Sequence, residues 1–223
     1  MGNNVVITGI SSGVGEALTK KFLTLGYNVF GLVRNLTKTY DVFGDVNGLT
    51  VIECDVSDSE SVINAFKQID NIDILINNAS VFVSSNFTET TQVDINTVLD
   101  TNLKGTINCT LQSLDKMESG RIINIGSVSG THGIKNQAIY SSSKHGLIGF
   151  SNSLAQELEK INITTICPGG INTPLWSKDN EYDGDVNDLL STKDIVDTVL
   201  FITNLSDSVV VKEIIMFPKC EWH

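Results

Sequence analysis

Thr8-Gly9-Ile10-Ser11-Ser12-Gly13-Val14-Gly15 follows directly on Val5-Val6-Ile7, and the reading of this stretch decides the fold. Three consecutive β-branched apolar residues read as a buried strand. The glycines after them let the backbone turn tightly and approach a bound group closely. The helix that follows carries Ala17, Leu18, Phe22 and Leu25 on one face. Its first turn offers free N–H groups and a positive dipole end. Strand, glycine-rich turn and helix in that order suit a pyrophosphate; a merely tight turn is the plainer alternative. The spacing is T-G-x-x-x-G-x-G rather than G-x-G-x-x-G.

Outward from this turn the chain alternates short apolar runs with helical patterns. Gly26 is placed to cap the first helix. Strands are expected at Asn28 to Val33, Leu49 to Glu53, Ile72 to Ile76, Arg121 to Ile125, Ile161 to Cys167 and Glu213 to Phe217. Ser57 is expected to N-cap a helix with apolar positions at Val62, Ile63 and Phe66. Long helices are expected from about Asp94 to Leu114 and from Gln137 to Lys160, with a further one from Thr192 to Asn204. This order predicts an α/β chain: a doubly wound, Rossmann-type parallel sheet of about seven strands with helices on both faces. No repeat or linker divides it, so residues 1–223 read as one dinucleotide-binding and catalytic domain. The polar stretch 175–191 reads as a short substrate lid.

Composition narrows the functions further. Acids outnumber bases 26 to 15, for a formal charge of −11. That argues against non-specific nucleic-acid binding and against docking on anionic lipid. With 41% hydrophobic and 18% charged residues the chain is a folded globule. Cys54, Cys109, Cys167 and Cys220 are far apart and form no C-x-x-C pair, so they read as reduced thiols. No apolar run approaches a membrane span and no basic-then-apolar leader is present, so the expected location is cytoplasmic. No His/Asp/Glu cluster has metal-ligand spacing.

Further motifs follow in order: Asn77-Asn78-Ala79-Ser80 after the fourth strand, Asn102 in Asp100-Thr101-Asn102-Leu103, Ser127 at the end of the fifth strand, Tyr140-Ser141-Ser142-Ser143-Lys144, and Pro168-Gly169-Gly170-Ile171-Asn172-Thr173. With the glycine turn, they make the chain resemble the short-chain dehydrogenase/reductase family, in its common single-domain branch. Ser80 stands where that family has glycine and is expected to narrow the space near a cofactor ribose.

Tyr140 and Lys144 are four apart, so they share a helix face. An ordinary amphipathic helix has such pairs too. A cation beside a phenol, however, stabilises phenolate and eases proton exchange. The resemblance implies that Ser127 polarises a carbonyl, Tyr140 donates the proton, Lys144 lowers the tyrosine pKa and holds the nicotinamide ribose, and Asn102 positions a water. It also implies cofactor contacts from Gly9, Ser11, Ser12, Gly13, Val14, Asp55, Val56, Asn78, Ala79, Pro168, Gly169, Ile171 and Thr173. Asp55 would contact the adenine. His132 is a candidate substrate contact, whereas His145 is expected to face elsewhere.

The second strand ends Val33-Arg34. An acid there would bind the ribose 2′-OH of NAD, whereas an arginine accommodates a 2′-phosphate. NADP(H) is therefore expected over NAD(H), with Ser11 and Ser12 adding hydroxyl contacts. The expected activity is hydride transfer between that cofactor and a carbonyl or alcohol of a small molecule, in the direction of ketone or aldehyde reduction. Trp176 could form an apolar wall for the substrate. A homodimer or homotetramer is implied by the resemblance, though the Lys219-Cys220-Glu221-Trp222-His223 ending lacks the family's glycine-rich tail. A sugar-nucleotide epimerase or dehydratase would need a C-terminal substrate domain for which this sequence has no room; the alternative is a catalytically weak NADP-binding sensor or scaffold.

Overall fold

A computed structural model describes residues 4–176 and 182–222. Seven strands, all parallel, form one sheet in the order β3-β2-β1-β4-β5-β6-β7. They are β1 Asn4–Thr8, β2 Asn28–Val33, β3 Leu49–Glu53, β4 Ile74–Asn77, β5 Gly120–Ile125, β6 Ile161–Pro168 and β7 Glu213–Met216. The helices are α1 Gly13–Thr24, α2 Leu36–Phe43, α3 Ser59–Phe66, α4 Gln92–Leu99, α5 Gly105–Leu114, α6 Ala138–Leu154 and α7 Thr192–Thr203.

Period-two alternation divides the core between the two faces of the sheet. Val5, Ile7, Ile123 and Ile125 pack against Leu18 and Phe22 of α1 and Ile195, Val199 and Ile202 of α7. Val6, Leu75, Ile122 and Ile163 face the other way, onto Val62 and Phe66 of α3 and Cys109 of α5. A strand buried on both faces has no polar side to show, which is why these strands read as unbroken Val, Ile and Leu runs. Cys54, Cys109 and Cys167 are buried and Cys220 is exposed; all four are free thiols.

Gly26 closes α1 as its position suggests. It has φ +81°, its N–H reaches the Leu23 carbonyl, and the Tyr27 N–H reaches that of Phe22. Those two bonds form a Schellman cap.

Four departures from the sequence expectations have physical reasons. The N-cap of α3 is Asp58, whose carboxylate accepts from the Glu60 N–H, not Ser57; Ile63 on that helix is 38% exposed. The expected helix from Asp94 to Leu114 is interrupted at Asp100–Lys104, where a π-helical turn closes through a Gly105 N–H to Asp100 carbonyl bond. Gly105 at that point lies so close to Val56 that a Cβ would sit 2.9 Å from its side chain. The extra residue brings Asn102 to the buried side while Thr106 and Cys109 stay packed on the sheet. Helix α6 stops at Leu154 rather than Lys160, because Gln156 and Glu157 bond the Ser153 and Leu154 carbonyls, tightening the chain into its turn toward β6. Finally, α2 is absent from the expectations: it sets Leu36 and Phe43 against the core at helical spacing, but it is short, rich in threonine and fully buries only Thr39.

The chain leaves β3 at one side of the sheet and re-enters at β4, beside β1. This switch point between β1 and β4 opens a crevice at the carboxyl ends of the strands, where ligands of open α/β sheets bind. Gly15 sets its floor. Its missing side chain leaves room for the Gly9 carbonyl and for Asn78 Nδ2, which a Cβ would approach to 2.6 Å. Gly15→Ala would drive that Cβ into the Gly9 carbonyl oxygen, so the variant is expected to lose about 2 kcal/mol of stability. An unshifted thermal melt would show that the turn relaxes freely.

Candidate active site

A single cavity of about 890 Å³ occupies this crevice. Sixteen sequence-predicted residues line it: Gly9, Ser11, Ser12, Gly13, Val14, Arg34, Val56, Asn78, Ala79, Ser127, Tyr140, Lys144, Pro168, Gly169, Ile171 and Thr173. Asp55 and Asn102 are not among the lining residues.

At one end lies the glycine turn. Gly9 and Gly13 have φ +74° and +60°, which side chains rarely adopt. Ser12, the N-cap of α1, makes no side-chain cap bond, so its hydroxyl and the first-turn N–H groups are available to an anion. Thr8 Oγ1 accepts from the N–H groups of Asn78 and Ala79, at 3.0 and 2.9 Å. Asn78 Nδ2 donates to the carbonyls of Thr8 and Gly9, at 2.9 and 3.0 Å. Its amide thus holds the turn in shape. Arg34, exposed at the end of β2, lines the same end and forms no ion pair among the described residues. Lys38, one turn into α2, lines it as well. The sequence reading did not single out Lys38, because α2 itself was not legible; the local signal is Asn35, which caps α2 by accepting from the Lys38 N–H at 2.9 Å.

Asp55, expected to contact the adenine, lies at the turn after β3 and has one carboxylate oxygen, Oδ1, engaged by the protein. Its carboxylate accepts from the N–H and hydroxyl of Ser57, at 3.0 and 2.6 Å, and shapes the turn before α3.

At the middle of the cavity, β5 delivers Ser127 and α6 delivers Tyr140 and Lys144. Tyr140 is 8% and Lys144 2% exposed. The Lys144 ammonium donates to the Ile125 carbonyl at 3.0 Å and lies 5.6 Å from the centre of the Tyr140 ring. The hydroxyls of Ser127 and Ser80 both hydrogen-bond Tyr140. Phe82 packs edge-on against the same ring, with centroids 4.8 Å apart.

Burial dominates the electrostatics of this pair. It pushes the Tyr140 phenol up to about 12, against the opposing pull of Ser127 and Ser80. It pulls the Lys144 ammonium down to about 8. In this geometry the Ser127 and Ser80 hydroxyls lower the phenol, and burial outweighs them. A phenol held protonated is a proton donor.

A stability test follows from Lys144. Its folded value of about 8 lies below the ordinary 10.5, so between these two pH values the unfolded chain holds a proton that the folded chain has lost. Stability from this group therefore rises with pH across that window and is lost as pH falls through the lower value. Relative to Lys144→Met, the wild-type protein is expected to gain about 2 kcal/mol between pH ~7 and pH ~10 in denaturant melts. Cys54 and Cys109 titrate in both proteins and cancel; Cys167 interacts with Lys144 and is therefore replaced by alanine in both. A flat difference curve would contradict a buried ammonium.

The Asn102 amide is held by the protein. Its Oδ1 accepts from the Val81 N–H at 2.8 Å and from Ser80 Oγ at 3.1 Å. Its Nδ2 donates to the Val81 carbonyl at 2.8 Å and to Ser143 Oγ at 3.3 Å. Asn102 thereby fixes the loop after β4, and through Ser80 it reaches Tyr140. Ser80, expected only to narrow space, supplies a hydroxyl to the proton donor.

The far end is walled by the lid and the residues after β7. Trp176 Nε1 donates to the Ile171 carbonyl at 2.8 Å, and its ring meets Phe82 at 5.6 Å. Of the expected lid, residues 177–181 lie outside the described residues. Its end is tied down: Leu190 exchanges backbone bonds with Gly170 and Asn172, at 3.0 and 2.8 Å. Phe217 and Glu221 line the cavity too, and nothing in the sequence marked them. His132 lines it and stacks on Phe217, with centroids 6.2 Å apart. His145 is turned away, its ring on the Ser141 carbonyl. Among the described residues no group of three or more His, Cys, Asp or Glu could hold a metal, and no helix is long and apolar enough to cross a membrane.

Comparison with known proteins matches this geometry to one class. A family model described as short chain dehydrogenase matches residues 3–184. The chain belongs to the short-chain dehydrogenase/reductase family. It is 36% identical to carbonyl reductase family member 4 of Xenopus tropicalis over 178 residues, covering 76% of this chain and 75% of that one. It is 31% identical to an uncharacterised oxidoreductase of Staphylococcus epidermidis over 223 residues, covering 96% of both. The solved structure of ElxO with NADP bound superposes with a TM-score of 0.86 at 28% identity, covering 98% of both chains.

Proposed function

We propose that the chain is an NADP(H)-dependent reductase of small ketones or aldehydes. The observation that carries this reading is one cavity with Ser127, Tyr140 and Lys144 at its middle and, beside the glycine turn at its end, Arg34, which forms no ion pair among the described residues. The residues present fit a nicotinamide dinucleotide. The glycines leave backbone N–H groups clear for a pyrophosphate, and Arg34 with Lys38 offers two cations to a 2′-phosphate. The binding of NADP by ElxO and the activity named for the Xenopus relative support the same choice.

When bound, the cofactor supplies the hydride. The chain supplies the rest. Ser127 donates a hydrogen bond to the carbonyl oxygen, and Tyr140 passes its proton to that oxygen as negative charge develops there. Lys144, buried beside the ring, holds positive charge next to the tyrosine as it gives up the proton. Phe82 and Trp176 exclude water from the reacting carbon. The whole chain acts as one cofactor-binding and catalytic domain, in the cytoplasm. Assembly as a homodimer or homotetramer belongs to the same reading; exposed Val93 and Leu111 on α4 and α5, and Phe201 and Ile215 on α7 and β7, are apolar surfaces that suit it.

The test is a panel of ketones and aldehydes with NADPH. Oxidation of NADPH with some members is expected. Tight NADPH binding with no turnover across the panel would favour a cofactor-sensing protein instead.

A further inference from the structure

The cavity has two ends of opposite charge. Arg34 and Lys38 line it beside β2, whereas among the described residues the charged side chains lining it near β6 and β7 are Asp183 and Glu221. Four strand spacings separate β2 from β6, about 19 Å. The phosphates of an anionic dinucleotide match the first end, its expected contacts run on to residues 168–173, and the space beyond them under Trp176 and Tyr182 is left for the substrate.

Glu221 is seated there by several independent contacts. After β7 the chain turns at Pro218, and the Glu221 N–H donates to the Pro218 carbonyl at 3.0 Å. Glu221 Oε2 accepts from the Gly170 N–H at 2.9 Å, and the Tyr182 side chain hydrogen-bonds the same carboxylate. The paired glycines make this approach possible. A Cβ on Gly169 would lie 2.5 Å from Oε2, and one on Gly170 would lie 2.7 Å from Oε1. Aromatic residues line the same cavity: Trp176 and Tyr182, whose rings stand 5.3 Å apart, and Phe217. Carboxylates set among aromatic faces favour an ammonium group through both ion pairing and cation–π attraction.

We propose that this end of the cavity selects ketones or aldehydes carrying an ammonium group, with Glu221 as the specificity-determining residue. The inference rests on the reductase reading above. A substrate carboxylate placed there would face Asp183 and Glu221. Unit charges ~5 Å apart at a protein surface shift binding by up to about a hundredfold, and solvent screening reduces this to roughly tenfold for a half-exposed group.

The experiment uses three aryl ketones of matched shape bearing trimethylammonium, tert-butyl or carboxylate groups. The ratio of kcat/KM for the ammonium ketone to that for the carboxylate ketone is expected to be about tenfold or more in the wild type. It is expected to fall severalfold in Glu221→Gln, which keeps an acceptor for the Gly170 N–H, with Asp183 retaining the remainder. A ratio that Glu221→Gln leaves unchanged overturns the inference while the reductase reading stands. Binding of the corresponding alcohols is followed in parallel by Trp176 fluorescence in a Trp222→Phe background, since the chain has two tryptophans. Glu221-dependent preference for the ammonium alcohol without any ketone turnover keeps the inference and overturns the reductase reading. Charge-blind binding without turnover overturns both.

Discussion

Tyr140→Phe is expected to lower kcat for carbonyl reduction by about a thousandfold or more, with NADPH affinity changed by no more than about threefold. The substitution removes one hydroxyl from a ring whose packing stays the same. Phe82 meets the edge of that ring and the Lys144 ammonium lies near its face, and neither contact needs the oxygen. What is lost is the only donor at this position that is buried, held protonated by its surroundings and backed by the hydroxyls of Ser127 and Ser80. Ser127 would remain to hydrogen-bond the carbonyl, which accounts for some residual turnover. The measurement is steady-state kinetics beside a cofactor titration. A drop below about tenfold would mean that the proton comes from elsewhere.

The second large effect is expected at Arg34. Arg34→Asp should reduce kcat/KM with NADPH by about a hundredfold and change that with NADH by less than about fivefold, in either direction. A charge-assisted contact to phosphate is lost, and a like charge is placed beside it. Arg34 is exposed and has no protein partner among the described residues, so the substitution breaks no internal contact. Lys38 on α2 keeps part of the attraction, which bounds the loss. Kinetics with both cofactors decide it. Equal losses with NADPH and NADH would assign Arg34 a structural part and leave the 2′-phosphate without its ligand.

The fold was legible because its signals are local. Unbroken apolar runs mark strands covered on both faces, and the glycine turn marks the first strand-to-helix junction. The sheet positions of β2 and β3 follow the residue pattern without error. Helix α2 carries Leu36, Tyr40 and Phe43 at helical spacing, but over only eight residues, with two threonines that form helices poorly. The bend at Asp100–Lys104 was hidden because a π-helical turn leaves the apolar spacing nearly helical on either side. The site divides in the same way. Tyr140 and Lys144 are neighbours on one helix, so spacing reveals them. Asn102 and Ser80 were both noticed, but their contact spans 22 positions and depends on how the loop after β4 packs. Glu221 lies 51 positions from Gly170, and no local pattern marks a carboxylate that only the meeting of two loops brings to the cavity.

Hydride transfer itself is the central claim, and isotope transfer tests it most directly. NADPH carrying deuterium at the reacting carbon of the nicotinamide is incubated with the protein and the ketone that turns over fastest, and the product alcohol is examined by mass spectrometry and NMR. Deuterium is expected on the carbinol carbon of the product with the wild-type protein, and at most a trace with Tyr140→Phe. Alcohol formed without deuterium on that carbon, or NADPH bound tightly and never consumed, would contradict the assignment of this chain as a carbonyl reductase.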